Sequence, residues 1–106
     1  MRVLFDQGTP APLRHLFLGH VVSTAFELGW ATLKNGELLA AAENQDFEVF
    51  VTTDTHLKYH QNLASRKIAI VVLGTTSWPR IKAAPELIVS AVNNCGAGSY
   101  IEVMIP

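Results

Sequence analysis

Apolar positions along the chain follow two patterns. Val3 to Phe5, Val49 to Val51 and Ile68 to Leu73 are unbroken apolar runs, and between them apolar residues recur at spacings of three and four. The runs read as strands covered on both faces, as parallel strands are. The spaced stretches read as helices with one buried face. After Val3–Phe5, Thr9 is placed to cap a helix with Pro10 in its first turn, Leu13, Leu16 and Phe17 on its inner face, and Gly19 at its end. Val21-Val22 is a short second strand, and Ser23 or Thr24 caps a brief turn through Phe26 and Leu28 to Gly29. The link from Trp30 to Lys34 has no assigned form. Asn35 then reads as an N-cap, with Glu37 in the first turn and Leu38, Leu39 and Ala42 facing inward.

The central strand runs from Phe47 to Thr52, a short helix from Leu57 to Leu63, and a fourth strand from Ile68 to Leu73. Ser77 is placed to cap a helix whose inner face is Ile81, Ala84, Ile88, Ala91 and Val92, with Pro85 kinking or splitting it. Tyr100 to Ile105 alternates as a last strand. Strands and helices thus alternate from one end to the other. This order predicts an α/β fold: a three-layer α/β/α sandwich on a mainly parallel five-stranded sheet, with right-handed crossovers.

Composition narrows the picture. A chain of 106 residues suits one domain, 1–106, and 49% hydrophobic with 16% charged residues argues against disorder. The net charge of -1 supplies no global field toward nucleic acid or membrane. One cysteine, Cys95, excludes an intramolecular disulfide and suits a reducing compartment. No apolar run reaches membrane-spanning length, and Asp6 interrupts the N-terminal run. A cytoplasmic domain with no membrane partner is expected.

Two of the apolar runs end in acids: Val3–Phe5 in Asp6, and Val49–Val51 in Thr52-Thr53-Asp54. Neighbouring parallel strands deliver their carboxyl ends to one edge, where α/β folds hold their ligands. Two carboxylates there suit a hard cation, Mg2+ or Mn2+. Glu37, opening the helix before the central strand, is a third candidate. Asp is also a common residue where a strand turns, and an acid in a first turn gains from the helix dipole without any ligand. Thr75, Thr76 and Ser77 flank the same edge as candidate phosphate contacts, or as turn and capping residues. His56 and His60 have zinc-binding spacing, but Leu57 stands where a zincin carries Glu, so no zinc is expected. Lys58, Arg66, Lys67, Arg80 and Lys82 are either a local phosphate-contacting rim or scattered surface charge. Trp30 and Trp78 are core or interface anchors.

Leu4-Phe5-Asp6 with Pro10 and Leu13, then Asn35-Gly36-Glu37-Leu38-Leu39, then Val51-Thr52-Thr53-Asp54, resembles the small PIN-like proteins. These are minimal relatives of PIN-domain nucleases, which include VapC-type toxins. The resemblance covers nearly the whole chain through short motifs. It implies a parallel α/β sandwich with an acidic site for Mg2+ or Mn2+ that cleaves RNA. Asp6 matches the family's first acid, Asp54 its strand-end acid and Thr52 the accompanying threonine. Those residues, with Glu37, are the implied catalytic set, and Asp6, Asp54 and Glu37 the implied metal ligands.

The chain departs from the pattern at Gln7-Gly8, where Glu-Asn is usual. It departs at Asn35, in the place of the middle acid, and at Thr55-His56, where a further acid often follows. The implied partners are an RNA substrate and a small antitoxin, and a homodimer is a further candidate. The alternative is a catalytically degenerate PIN-like protein that binds protein or RNA. A phosphoacceptor receiver domain is excluded. It needs an acid pair on strand one and a lysine after strand five, where this chain has Asp6-Gln7 and Met104-Ile105-Pro106.

Overall fold

The computed structural model describes residues 1–106. Five strands form one all-parallel sheet: β1 (Arg2–Phe5), β2 (Val21–Thr24), β3 (Val49–Thr52), β4 (Ala69–Leu73) and β5 (Tyr100–Val103), in the order β2-β1-β3-β4-β5. A 3-10 helix (Ala11–Leu16) joins β1 to β2. Four α-helices follow: α1 (Asn35–Asn44), α2 (Leu57–His60), α3 (Trp78–Ala83) and α4 (Pro85–Asn94). The expected α/β sandwich with a five-stranded parallel sheet is what forms.

Strand side chains alternate between the faces, so the unbroken apolar runs feed two cores. Val3, Phe5, Val49, Val51, Val71 and Leu73 pack on one face, under Leu13 and Phe17, Ile81 of α3, and Ile88 and Val92 of α4. Leu4, Phe50, Ile70 and Val72 pack on the other, under Leu38, Leu39 and Ala42 of α1 and Leu57 of α2. Trp78 packs against the first core and Trp30 against the second, so both are partly core residues. Each such fully buried aliphatic or aromatic side chain contributes about 1.5–3 kcal/mol relative to exposure.

Local chemistry explains most element ends. Ser77 Oγ accepts the Arg80 N–H at 3.4 Å and caps α3. Pro85, with no N–H to donate, ends that helix and takes the first position of α4. Two expected caps are absent. Pro10, not Thr9, holds the cap position of the first helix, which winds as 3-10 and leaves Leu16 37% exposed. Lys34, not Asn35, holds the cap position of α1, so Asn35 is its first helical residue.

One connection differs in hand from the other three, so the crossovers do not all share the expected hand. The β1–β2 connection covers the first face, while β2–β3 and β3–β4 cover the second and step the opposite way; these three share one hand. The β4–β5 connection steps the same way as β3–β4, yet α3 and α4 cover the first face. It therefore has the opposite hand to those three, although parallel crossovers strongly prefer a single, right-handed sense. No local sequence signal encodes this.

The β2 edge is blocked by its own chain. Val21 and Ala25 donate inward to Met1 and Phe5, which turns the Val22 and Thr24 backbone outward. Arg14 Nη2 donates to the Val22 carbonyl at 2.5 Å, the Thr24 N–H donates to Glu27 Oε1 at 2.9 Å, and Arg14 and Glu27 pair with each other at 2.9 Å. A capped edge resists pairing with another strand.

Candidate functional site

The strand order places a switch point between β1 and β3. The chain leaves β1 toward one side and returns past it to form β3 on the other. Crevices at the carboxyl end of such a point are where open α/β sheets bind ligands. Asp6 follows β1 and Asp54 follows β3, so both acids stand there.

Asp6 is held from three directions. Its Oδ1 accepts the Thr9 hydroxyl at 2.6 Å and the Thr9 N–H at 3.1 Å, and its Oδ2 accepts the Thr52 hydroxyl at 2.5 Å. Thr9 is 5% exposed and Thr52 fully buried, so both bonds sit in low dielectric. Burial pushes the Asp6 carboxyl above its ordinary value. The Thr52 and Thr9 bonds oppose that, and the Asp54 charge adds to the rise.

Asp54 is held by its own turn and by α1. Its N–H donates to Thr52 Oγ1 at 3.0 Å, and its Oδ1 accepts the His56 N–H at 2.9 Å. Its Oδ2 accepts Nδ2 of Asn35 at 2.7 Å. Asn35 therefore reaches the site as a neutral partner of the acid, where the sequence suggested a cap. Thr9, taken from the sequence for a helix cap, is the other residue the structure adds. The three-residue spacing from Asp6 is the signal that could have found it.

Glu37 does not join them. It is exposed, and its carboxylate accepts the Lys34 N–H at 3.3 Å. This is the ordinary role of an acid at that helix position. No group of three or more carboxylate, histidine or cysteine side chains could surround one ion, which corrects the expected three-acid cluster. Of the candidate phosphate contacts, Thr75 Oγ1 accepts the Ser77 N–H at 3.1 Å and Ser77 caps α3, so both serve the turn. Thr76 alone faces the site, lining a cleft of about 540 Å3 beside Asp6.

The expected basic rim is also thinner than its residue count. Lys58 pairs with Glu102 at 2.8 Å and Arg66 with Glu43 at 2.7 Å, while Arg80 donates to the Ile105 and Pro106 carbonyls. None of the three ion pairs involves Asp6 or Asp54. The two acids thus face each other's charge with no cation of the chain against them. Asp6 Oδ2 and both Asp54 oxygens each take one hydrogen bond, which leaves lone pairs for a further ligand. A donor set of carboxylate oxygens fits one hard divalent ion such as Mg2+ or Mn2+. Two carboxylates are few for a pair of ions.

A second cavity, about 640 Å3, lies at the opposite end of the strands, among Met1, Glu48, Ala69 and Cys95. The Cys95 thiol donates to the Val92 carbonyl at 3.1 Å, and burial pushes its pKa up.

Comparisons with protein-family models, with curated proteins and with solved structures return no match.

Proposed function

We propose that this chain is a PIN-like protein that takes one Mg2+ or Mn2+ through Asp6 and Asp54 and hydrolyses phosphodiester bonds of RNA. One observation carries the metal site: two carboxylates at the β1/β3 switch point, both tied to Thr52, with no positive side chain against either. The RNA substrate and a small antitoxin partner rest on the motif resemblance.

When bound, a divalent ion would polarise the phosphoryl oxygen and lower the pKa of the attacking water. The chain's own residues prepare for it. Thr52 sets the Asp6 carboxylate and the Asp54 backbone in fixed relation, a positioning role. Thr9 holds the other Asp6 oxygen. Asn35 fixes the Asp54 carboxylate without adding charge, so the site carries fewer negative charges than three acids would bring.

Asn35 also supports a second reading, a degenerate PIN-like module that binds without cleaving, because a neutral amide already satisfies Asp54 where an acid would demand a cation. The deciding experiment is RNA cleavage with Mn2+ by the wild type and by Asp54→Asn, with metal-dependent melting measured alongside. The nuclease reading expects cleavage by the wild type only. Cleavage no greater than that of Asp54→Asn, together with melting unaffected by metal, leaves the binding module.

A further inference from the structure

The two edges of the sheet are finished differently. At β2 the outward backbone is taken up by Arg14 and Glu27. At β5 nothing takes it up. Ile70 donates its N–H to the Ser99 carbonyl and Gly74 donates to the Val103 carbonyl, so alternate residues of β5 face β4. The N–H and C=O groups of Tyr100 and Glu102 therefore point away from the sheet, and neither a loop nor a side chain bonds them. The usual guards of an open edge are missing. Tyr100-Ile101-Glu102-Val103 holds no proline or lysine, and its one charge, Glu102, is already paired with Lys58 at 2.8 Å. Apolar surface flanks the strand: Met104, next in the chain, is 82% exposed, and Tyr59, beside Lys58, is 72% exposed.

The strand is complementary to itself in one register. Two copies related by a twofold axis would pair this edge antiparallel. An axis at Glu102 sets two carboxylates directly opposite each other, a like-charge pair that destabilises. An axis at Tyr100 sets Glu102 against Gly98, whose N–H is already bound to the Lys67 carbonyl. An axis at Ile101 sets Tyr100 of each copy opposite Glu102 of the other, and every outward N–H and C=O of both strands is then bonded. The charges agree with that register. Lys58 Nζ lies 2.8 Å from Glu102 and 6.0 Å from the centre of the Tyr100 ring. It stands over both outward residues, so the Glu102 carboxylate that arrives opposite Tyr100 also meets a cation.

We propose that β5 pairs antiparallel with β5 of a second copy of this chain, about a twofold axis at Ile101, so that the two sheets join into one continuous sheet. This pairing is independent of the metal reading, because β4 separates the Asp54 strand from this edge.

Sedimentation equilibrium of the full chain over a dilution series reads the mass. The wild type is expected at twice the 11.6 kDa of one chain, dissociating on dilution. Glu102→Pro removes an outward N–H and no bond to β4, as an edge strand tolerates. The axis doubles that loss, so the association constant should fall by about tenfold or more. Glu102→Gln keeps the N–H and should lose less. Melting curves report whether each variant is folded.

A cross-link reads the register without relying on proline. On the axis, a pair without mutual hydrogen bonds brings its Cα atoms to about 4.5 Å, within disulfide range. Ile101→Cys in a Cys95→Ala chain should therefore form a covalent dimer with oxidised glutathione. A monomer at every concentration, a folded Glu102→Pro variant that associates as tightly as Glu102→Gln, or no cross-link through position 101 overturns the proposal.

Discussion

Thr52 donates its hydroxyl to Asp6 across the β1/β3 boundary at 2.5 Å, while the same oxygen accepts the backbone N–H of Asp54 at 3.0 Å. One buried side chain thus ties both acids of the site into one unit. Thr52→Val keeps the shape and removes the hydroxyl, so Asp6 loses a donor and the Asp54 N–H loses its acceptor. The expected cost is about 2 kcal/mol, seen as a lower midpoint in urea unfolding. An unchanged midpoint would mean that water replaces the hydroxyl freely, and the pairing would not be structural.

Asn35 separates the structural role of the site from the proposed metal binding. Asn35→Ala removes the 2.7 Å donor to Asp54 and is expected to cost about 1 kcal/mol. Asn35→Asp sets a third carboxylate against Asp54. It should lower the melting temperature in EDTA through like-charge repulsion, and raise it above the wild type when Mn2+ is saturating. The same melting temperature for Asn35→Asp and wild type in both conditions would show that position 35 does not face the site.

Much of this was legible in the sequence, for identifiable reasons. A parallel strand covered on both faces must be apolar throughout, so Val3–Phe5, Val49–Val51 and Ile68–Leu73 announced themselves, and Asp6 and Asp54 marked where the strands end. Pro85 could only break a helix. Ser77 was free to cap one, because Trp78 and Pro79 begin it. Asn35 and Thr9 have the look of helix caps because Asn and Thr are good caps, while what each bonds depends on a carboxylate distant in sequence or on the form of a turn. Glu37 lies two residues beyond Asn35, close in sequence to the site but turned to its own helix end. The reversed β4–β5 crossover, and the pairing of Lys58, Arg66 and Arg80 with distant partners, are decided by tertiary packing.

Glu43 gives the pH dependence a defined sign. Burial raises its carboxyl, but the Arg66 side chain and the Lys67 and Ile68 N–H groups outweigh that and hold it below its ordinary value of 4.5. A carboxyl with a lower pKa folded than unfolded stabilises the fold above the unfolded value. That contribution is lost as pH falls through the folded one. Glu43→Gln should therefore melt below the wild type at neutral pH, with the gap closing as pH falls below 4.5. A gap of the same size in acid would show that the charge of Glu43 is not what ties α1 to the loop before β4.

The central claim is that Asp6 and Asp54 together hold a divalent ion. Its most direct test is calorimetric titration of Mn2+ into the metal-free protein at neutral pH, repeated with Asp6→Asn and Asp54→Asn. One ion per chain bound by the wild type, with binding lost in both variants, is the expected result. No binding by the wild type, or binding that survives Asp54→Asn, would contradict it.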